Sequence, residues 1–242
     1  MLYQTDLYLA PFDETGLHSD IAVKIHGAAM HAIPKEYAEK MHDDGVFHPF
    51  SVFAVPTGEG YLVRVSALND AARVIPDALS ELSAFRIFGC NRNRSVPILH
   101  RDAAPPMDMQ TLENIVSAKA VRIDLVTPAV TKSNGRLSVR PELVSYFYSV
   151  MLKYNAFEHG NITFPEVQAA FQAVTYRAFQ FRSTEYCVTG RRFPGMTGYA
   201  ELLLPEQPEA NLLLRRMFAY ASYCGIGAKT GQGMGGIVVQ SI

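Results

Sequence analysis

The chain has 242 residues, of which 48% are hydrophobic and 19% charged, and this composition excludes an intrinsically disordered protein. The formal net charge of −1 gives no sign of a generally basic, nucleic-acid-binding protein. The sequence contains neither an apolar run of roughly 18 residues nor a signal-peptide pattern, so we expect a cytoplasmic protein without membrane contact. The cysteines Cys90, Cys187 and Cys224 are odd in number and lack paired metal-ligand spacing, so they predict neither a disulfide framework nor a zinc site.

The first half of the chain has the periodicity of a mixed helix-and-sheet domain. Asp20 can cap a helix that ends before Pro34, and Pro76 predicts a kink or a break in a later helix. The predicted elements, in order, are strand 1–10, helix 21–33, helix 35–44, strands 48–55 and 60–66, helix 69–84 and strand 85–88. Apart from the extra short helix, this is the β-α-β-β-α-β order of the ferredoxin-like plan.

The second half of the chain repeats this order approximately. Pro105 and Pro106, within a polar run, predict a linker before it. The predicted elements are strand 120–128, helix 141–155, a helical insert 165–173, a hairpin of 178–184 with 185–192, strand 197–204, helix 208–223 and strand 237–239. With the insert allowed for, the order is again β-α-β-β-α-β, so we predict an α+β fold.

A glycine-rich stretch lies between the last predicted helix and the last predicted strand, with glycine at six of the twelve positions from Gly225 to Gly236. Glycine costs roughly 0.5–1 kcal/mol relative to alanine, so this density indicates positive φ angles or a backbone that approaches a ligand closely. Bare N–H groups in such turns can bind anions. A P-loop or a dinucleotide-binding loop would open a helix, which excludes both here. A connector without a ligand is the alternative.

Three parts of the sequence carry a family resemblance. The first is the helix 212–220, followed by Gly-Ile-Gly-x-Lys-Thr-x-x-Gly-Met-Gly (225–235) and the closing strand. The second runs from Ile25 to Val52, and the third from Val126 to Asn155. Together they resemble the CRISPR repeat-processing endoribonucleases, the Cas-six nucleases, over most of the chain.

The resemblance implies two tandem ferredoxin-like domains, 1–108 with the histidine cluster and 109–242 with the glycine-rich loop. It implies a metal-independent endoribonuclease, without a cofactor, that cuts CRISPR precursor RNA within its repeats. The adjacent 2′-hydroxyl would attack the phosphate and leave 2′,3′-cyclic phosphate and 5′-hydroxyl ends. The implied partners are repeat RNA, as precursor and as mature guide RNA, and other subunits of a CRISPR effector complex.

Two alternatives stay open. A non-catalytic RNA-binding subunit of similar build explains the glycine-rich loop but gives the histidines no role. A pair of small-molecule-binding domains explains the acidic residues 1–60, which carry three lysines and nine acids. Basic residues are in excess elsewhere: 175–242 carries seven basic and four acidic residues, and 85–101 carries four arginines and no acid. We therefore expect the RNA footprint in these two segments.

Four of the seven histidines lie between residues 26 and 48, and histidine titrates near neutral pH. By resemblance, His42 takes the family's catalytic position. His31 lies where many members have tyrosine, and His48 near a position that is often lysine; both are predicted as catalytic partners, although His31 could also be an ordinary capping or core residue. His26 lies about 140° from His31 around a helix and is predicted to be structural. A metal site of His26, His31 and His42 lacks a carboxylate or cysteine at a familiar spacing, so no metal is expected.

Arginines beside aromatic or polar residues complete the predicted RNA interface. Arg191 and Arg192 precede Phe193, and the donor-rich segment Asn91–Ser95 holds two more. An amphipathic hairpin with solvated arginines is the alternative at 191–192. The predicted RNA-binding residues are Gly225, Gly227, Lys229, Thr230, Gly231, Gly233, Gly235, Arg191, Arg192, Arg92 and Arg94.

Overall fold

In a computed structural model of the chain, residues 1–11, 21–41, 47–88, 93–140, 142–188 and 191–242 are described. Their helices and strands form two units, each an antiparallel sheet accompanied by helices. Both sheets contain the strand order of the ferredoxin-like plan, so the predicted α+β class and the tandem ferredoxin-like architecture are confirmed. Within the described ranges, no helix is long and apolar enough to cross a membrane.

The N-terminal unit is a five-stranded sheet in the order β2-β3-β1-β5-β4. Its elements are β1 (Tyr3–Leu9), α1 (Ile21–Ala32), α2 (Lys35–Lys40), β2 (Phe50–Thr57), β3 (Gly60–Ala67), α3 (Val74–Glu81), β4 (Ala84–Phe88) and β5 (Asn93–Ala103). Leu7 lies opposite Val63 across the β1–β3 pair, and both are fully buried. Ile21, Ile25 and Ala29 repeat every fourth residue, so α1 buries one face in the same core.

Two predictions for this unit are wrong. The strand expected over 85–88 as the fourth of the plan is the edge strand β4, whereas β5 takes the fourth position beside β1. Only Val96 and Ile98 in β5 form an alternating buried pair, and Pro97 separates them, so the strand has a weak sequence pattern. Helix α3 is shorter than expected, and Pro76 lies in its first turn, where a missing N–H breaks no intrahelical bond and causes no kink.

The C-terminal unit is a four-stranded sheet in the order β11-β6-β10-β9, with a small separate hairpin. Its elements are α4 (Met109–Ile115), β6 (Ala120–Ala129), β7 (Thr131–Ser133), β8 (Arg136–Ser138), α5 (Val144–Phe157), α6 (Phe164–Gln172), β9 (Thr175–Val188), β10 (Arg191–Leu203), α7 (Pro208–Cys224), a 3₁₀ turn (Thr230–Gln232) and β11 (Ile237–Ser241). Leu125 pairs with both Gly198 of β10 and Ile237 of β11, which places β6 at the centre of the sheet.

The hairpin predicted over 178–192 is wrong in its turn position. β9 and β10 form one long hairpin whose strands end at Val188 and begin at Arg191, so Glu185 pairs with Pro194 in mid-strand. The Thr184-Glu185 step has no glycine, proline or asparagine that would favour a turn. The sequence analysis also misses α4 and the β7–β8 hairpin, whose strands of three residues are too short for a period to be visible.

The two units meet along the C-terminal end of α7. The Ser51 hydroxyl of β2 donates to the Tyr223 carbonyl at 2.5 Å, and the Gln4 side-chain amide of β1 donates to the Ser222 carbonyl at 3.3 Å. These bonds satisfy carbonyls of the last helical turn, which have no partner within the helix. The domain boundary predicted after residue 108 stays a prediction.

Candidate nucleic-acid interface and active site

The glycine-rich loop, Gly225–Gly236, lies between the two units. It follows α7 and precedes β11, and most of its residues are buried. Gly231 lies against the ring of Phe50, and Gly236 lies against the ring of Phe53, both on β2 of the N-terminal unit. The loop therefore belongs to the contact between the units and is not an exposed flap.

Several N–H groups of the loop already donate within the protein. Gly225 N–H donates to the Ala221 carbonyl at 2.8 Å, and Gly235 N–H donates to the Pro128 carbonyl at 2.9 Å. Gly227 N–H donates to the Ser149 hydroxyl at 2.7 Å. These three N–H groups are not available to phosphate in this conformation, and Gln232 N–H is also occupied because it donates to the Lys229 carbonyl at 2.9 Å. The expected backbone anion site therefore narrows to the other N–H groups of the segment Lys229–Gly233. RNA binding by Gly225, Gly227 and Gly235 stays a prediction.

Two glycines are required by close packing at positive φ. Gly235 has a φ of 68°, and a Cβ there would overlap the Ile226 carbonyl oxygen. Gly233 has a φ of 95°, and a Cβ there would overlap Ala22 of α1 and the Tyr186 hydroxyl of β9. Since α1 and β9 belong to different units, Gly233 lies where the two units and the loop come together.

Lys229 is the cation of the loop and is half-buried. Its backbone is left-handed, with φ 63°, and its ammonium donates to the Gln232 side-chain oxygen at 3.0 Å. The ammonium also lies 4.9 Å from the ring centre of Phe193. Burial lowers the pKa of Lys229, and the positive charges of Lys132 and Arg191 lower it further. Lys229 is thus held beside other cations, an arrangement that favours an anionic partner.

A buried lysine on α5 forms hydrogen bonds to the glycine-rich loop and to the residue before it, from inside the C-terminal unit. Lys153 donates to the Thr230 hydroxyl at 2.6 Å and to the Cys224 carbonyl at 2.8 Å. Thr230, predicted to bind RNA, is itself buried. The sequence analysis misses Lys153, although a signal exists: it lies three and seven residues after Val150 and Tyr146, on the buried face of α5.

Two of the described histidines lie beside β2. The rings of His26 and His48 both contact Phe50, the first stacked with centres 5.7 Å apart and the second edge-on at 5.9 Å. His26, predicted to be structural, thus lies on the same ring as His48. His31 is exposed in the last turn of α1. His42 lies outside the described residues, so its catalytic role, like those of His31 and His48, stays a prediction.

The predicted arginines lie in different places. Arg191 and Arg192 are exposed at the start of β10, beside the Val188–Arg191 connection of the long hairpin. Arg192 pairs with Glu185 at 3.1 Å, so its positive charge is partly compensated on the surface. Arg94 belongs to β5 and not to a loop as expected, and Arg92 lies outside the described residues. RNA binding by these four arginines stays a prediction.

Metal ligands do not cluster in the part of the chain that the structure describes: no three of its histidine, cysteine, aspartate and glutamate side chains are placed to hold an ion.

Sequence comparison finds similarity to one protein family. The family model described as "CRISPR-associated endoribonuclease Cas6" matches residues 123–237, from the centre of β6 to the start of β11. The chain is similar to the Cas6 family over this segment. A protein of Mycobacterium tuberculosis (strain CDC 1551 / Oshkosh), named CRISPR-associated endoribonuclease Cas6, is 26% identical over 228 residues, which cover 90% of this chain and 71% of the relative. A Cas6 of Streptococcus thermophilus is 20% identical over 235 residues, which cover 91% and 92%.

Solved structures of the Cas6 family share the fold. A Cas6 product complex aligns with a TM-score of 0.77 and 24% identity, and the alignment covers 99% of this chain and 100% of the other. A Thermus thermophilus Cas6 aligns with a TM-score of 0.72 and 23% identity, over 99% and 98%. The sequence matches confirm the resemblance to Cas6 nucleases, and the solved structures show that the fold is shared.

Proposed function

We propose that the chain is a metal-independent endoribonuclease that cuts CRISPR precursor RNA within its repeats and produces guide RNAs. The relatives are named as endoribonucleases, and one similar structure is described as a product complex. The observation that carries the proposal is the position of the glycine-rich loop. Its Gly231 lies against the ring of Phe50, which His26 and His48 also contact, and Lys229 is two residues away along the chain.

The proposed reaction needs two proton transfers and no external nucleophile. The 2′-hydroxyl oxygen attacks the adjacent phosphorus as a base takes its proton, and the bond from phosphorus to the 5′-oxygen breaks as an acid protonates that oxygen. The products are a 2′,3′-cyclic phosphate and a 5′-hydroxyl. A neutral imidazole serves as the base and an imidazolium as the acid, each contributing roughly 10²–10⁴-fold. We assign the principal transfer to His42 and the partner role to His31 or His48.

Phosphate recognition is assigned to the loop and its surroundings. Lys229 supplies a cation, and the segment Lys229–Gly233 supplies the backbone groups nearest to it. A positive charge beside the scissile phosphate stabilises the extra negative charge of the pentacoordinate transition state. Bound repeat RNA is the partner in this proposal, as precursor and as mature guide RNA; other subunits of an effector complex are further proposed partners.

The test is cleavage of a synthetic repeat RNA, taken from the array beside the coding sequence, in excess EDTA. We expect cleavage to persist and the upstream product to end in a cyclic phosphate that resists phosphatase. Complete loss of cleavage, with rescue by magnesium or zinc, would overturn the metal-independent mechanism. Tight binding of intact RNA without any cleavage would instead support a non-catalytic RNA-binding subunit.

A further inference from the structure

The small β7–β8 hairpin has a strongly basic surface that the sequence analysis does not identify. Lys132, Arg136 and Arg140 are exposed, and the sequence from Val130 to Arg140 contains no acidic residue. An open concavity of about 500 Å³ lies on this hairpin. It is lined by Ser133, Asn134, Arg136, Ser138 and Arg140. Every lining side chain can donate a hydrogen bond and none is a carboxylate, so the concavity suits an anion.

The hairpin is attached to the glycine-rich loop and does not project freely. Ala228 N–H of the loop donates to the Val130 carbonyl at 2.7 Å, just before β7. Val130 also forms a small buried cluster with Tyr186 of β9 and Met234 of the loop, and Leu137 of β8 packs against that cluster. The concavity and the loop therefore keep a fixed mutual position.

The charges of the hairpin are continuous with those of the loop. Lys132 and Arg191 lie close enough to Lys229 for their charges to lower its pKa. Holding these cations close together raises the free energy of the protein, because like charges repel. An extended polyanion that contacts all of them offsets this repulsion.

We propose that the β7–β8 hairpin is a phosphate-binding surface for the RNA backbone, which extends the interface from Lys229 across Lys132 to Arg136 and Arg140. It rests on the proposed function for the identity of the partner. The two arginines contact phosphate oxygens with their planar guanidinium groups, which match such anions in a bidentate manner. Contacts of this kind fix the position of an RNA and carry no sequence information. The hairpin thus positions the repeat, while the junction at Lys229 holds the scissile phosphate.

An acidic protein segment is the competing occupant of a basic surface. The RNA backbone is favoured because the surface continues to Lys229 and Arg191, and because serine, asparagine and arginine line the concavity, with no aromatic or aliphatic residue to form an anchoring pocket for a peptide side chain. The regularly spaced phosphates of an RNA backbone can be bound by cations that are spaced along a surface, without an apolar pocket.

The test compares the double variant Arg136→Ala/Arg140→Ala with the control Lys35→Ala/Lys119→Ala, which removes two exposed charges elsewhere. Binding is followed by fluorescence anisotropy of a 2′-O-methyl repeat RNA, which lacks the attacking hydroxyl and stays intact. A charge-preserving variant, Arg136→Lys/Arg140→Lys, shows whether a loss of binding comes from the missing charges or from a folding defect. Melting curves by circular dichroism check that all variants are folded.

We expect the double alanine variant to bind about tenfold more weakly at low salt. Its log–log salt slope should fall in magnitude by roughly 1.4–1.8, since each phosphate contact contributes about 0.7–0.9. The lysine variant should recover most of the slope, and the control should match the parent within about twofold.

The proposal is overturned if the double alanine variant binds RNA as tightly as the control does and with an unchanged salt slope. An acidic peptide that binds the parent and not this variant would then identify the other occupant. Cleavage of unmodified RNA by the parent is measured in a separate assay. If the parent does not cleave RNA, the proposed function fails, and the binding data still test whether the hairpin contacts RNA.

Discussion

The ammonium of Lys153 lies 2.6 Å from the hydroxyl of Thr230, at the centre of the C-terminal unit, and holds the glycine-rich loop to α5. The same ammonium binds the carbonyl of Cys224, the last residue of α7. No carboxylate pairs with it among the described residues, and burial lowers its pKa. One cation thus fixes both the end of the helix and the start of the loop's 3₁₀ turn, which sets where Lys229 points.

The variant Lys153→Met tests this relationship, because methionine keeps the length and removes the donor. It leaves the Thr230 hydroxyl and the Cys224 carbonyl without this partner, so we expect the free energy of unfolding to fall by about 1–3 kcal/mol at neutral pH. The measurement is urea unfolding, with Thr230→Val and the double variant completing a cycle. Equal effects of Lys153→Met in the presence and absence of Thr230 would contradict the coupling.

The pH dependence of the Lys153→Met effect has a defined sign. In the folded protein the pKa of Lys153 is lowered, while in the unfolded chain it has its ordinary value of about 10.4. Between these two values the unfolded chain binds more protons, so the parent gains stability as pH rises. We expect the stability difference between parent and Lys153→Met to widen over that window. If the difference in free energy of unfolding between parent and Lys153→Met narrows as pH rises, the pKa of Lys153 is not lowered by burial in the folded protein.

The regular elements were predictable where burial follows a clear period. Ile21, Ile25 and Ala29 mark α1, and the apolar β2 and β3 strands are separated by a glycine-containing turn, so these elements are predicted within a few residues. β5 was not predictable, because its exposed face carries charges and a proline interrupts its short buried pattern. The residue patterns of β9 and β10 do not show where one strand ends and the next begins, so the sequence does not reveal that the two form one long hairpin.

The site was predictable in its residue types and not in its contacts. The glycine density of the loop correctly indicates positive φ angles, but the neighbours at Gly233 are Ala22 and Tyr186, which are distant in sequence. Long-range contacts of this kind depend on how the two units pack, and local sequence does not encode them. For the same reason, the sequence does not reveal that His26 and His48 share the ring of Phe50.

His42→Ala tests chemistry against binding. An imidazole that moves a proton acts mainly in the transition state, so we expect the single-turnover rate on repeat RNA to fall by about 10²-fold or more, with RNA affinity unchanged within a few-fold. The control is His100→Ala, since His100 is exposed on β5 and contacts only the ring of Tyr8 among the aromatic residues described. Near-normal cleavage by His42→Ala would move the principal role to His31 or His48.

Gly233→Val tests the junction between the units. The new side chain would overlap Ala22 and the Tyr186 hydroxyl at a φ that valine rarely adopts, so we expect a loss of about 3 kcal/mol or more in the free energy of unfolding, and weaker RNA binding. Gly27→Ala is the matched control: Gly27 lies in α1 with open space around it, and alanine there should stabilise by about 0.5–1 kcal/mol. A Gly233→Val protein that melts and binds RNA like the parent would make the loop a simple connector.

Lys229→Ala tests the charge of the loop without changing its glycines. Loss of one phosphate contact should reduce the log–log salt slope of RNA binding by somewhat less than one unit. Burial lowers the pKa of Lys229, and the charges of Lys132 and Arg191 lower it further, so the parent should lose affinity on raising pH before an ordinary lysine deprotonates. Lys132→Ala should shift that loss to higher pH. The measurement is anisotropy with 2′-O-methyl repeat RNA from pH 7 to roughly pH 10, the ordinary lysine range. If Lys229→Ala shows the same alkaline loss of affinity as the parent, another group is titrating and Lys229 does not hold the phosphate.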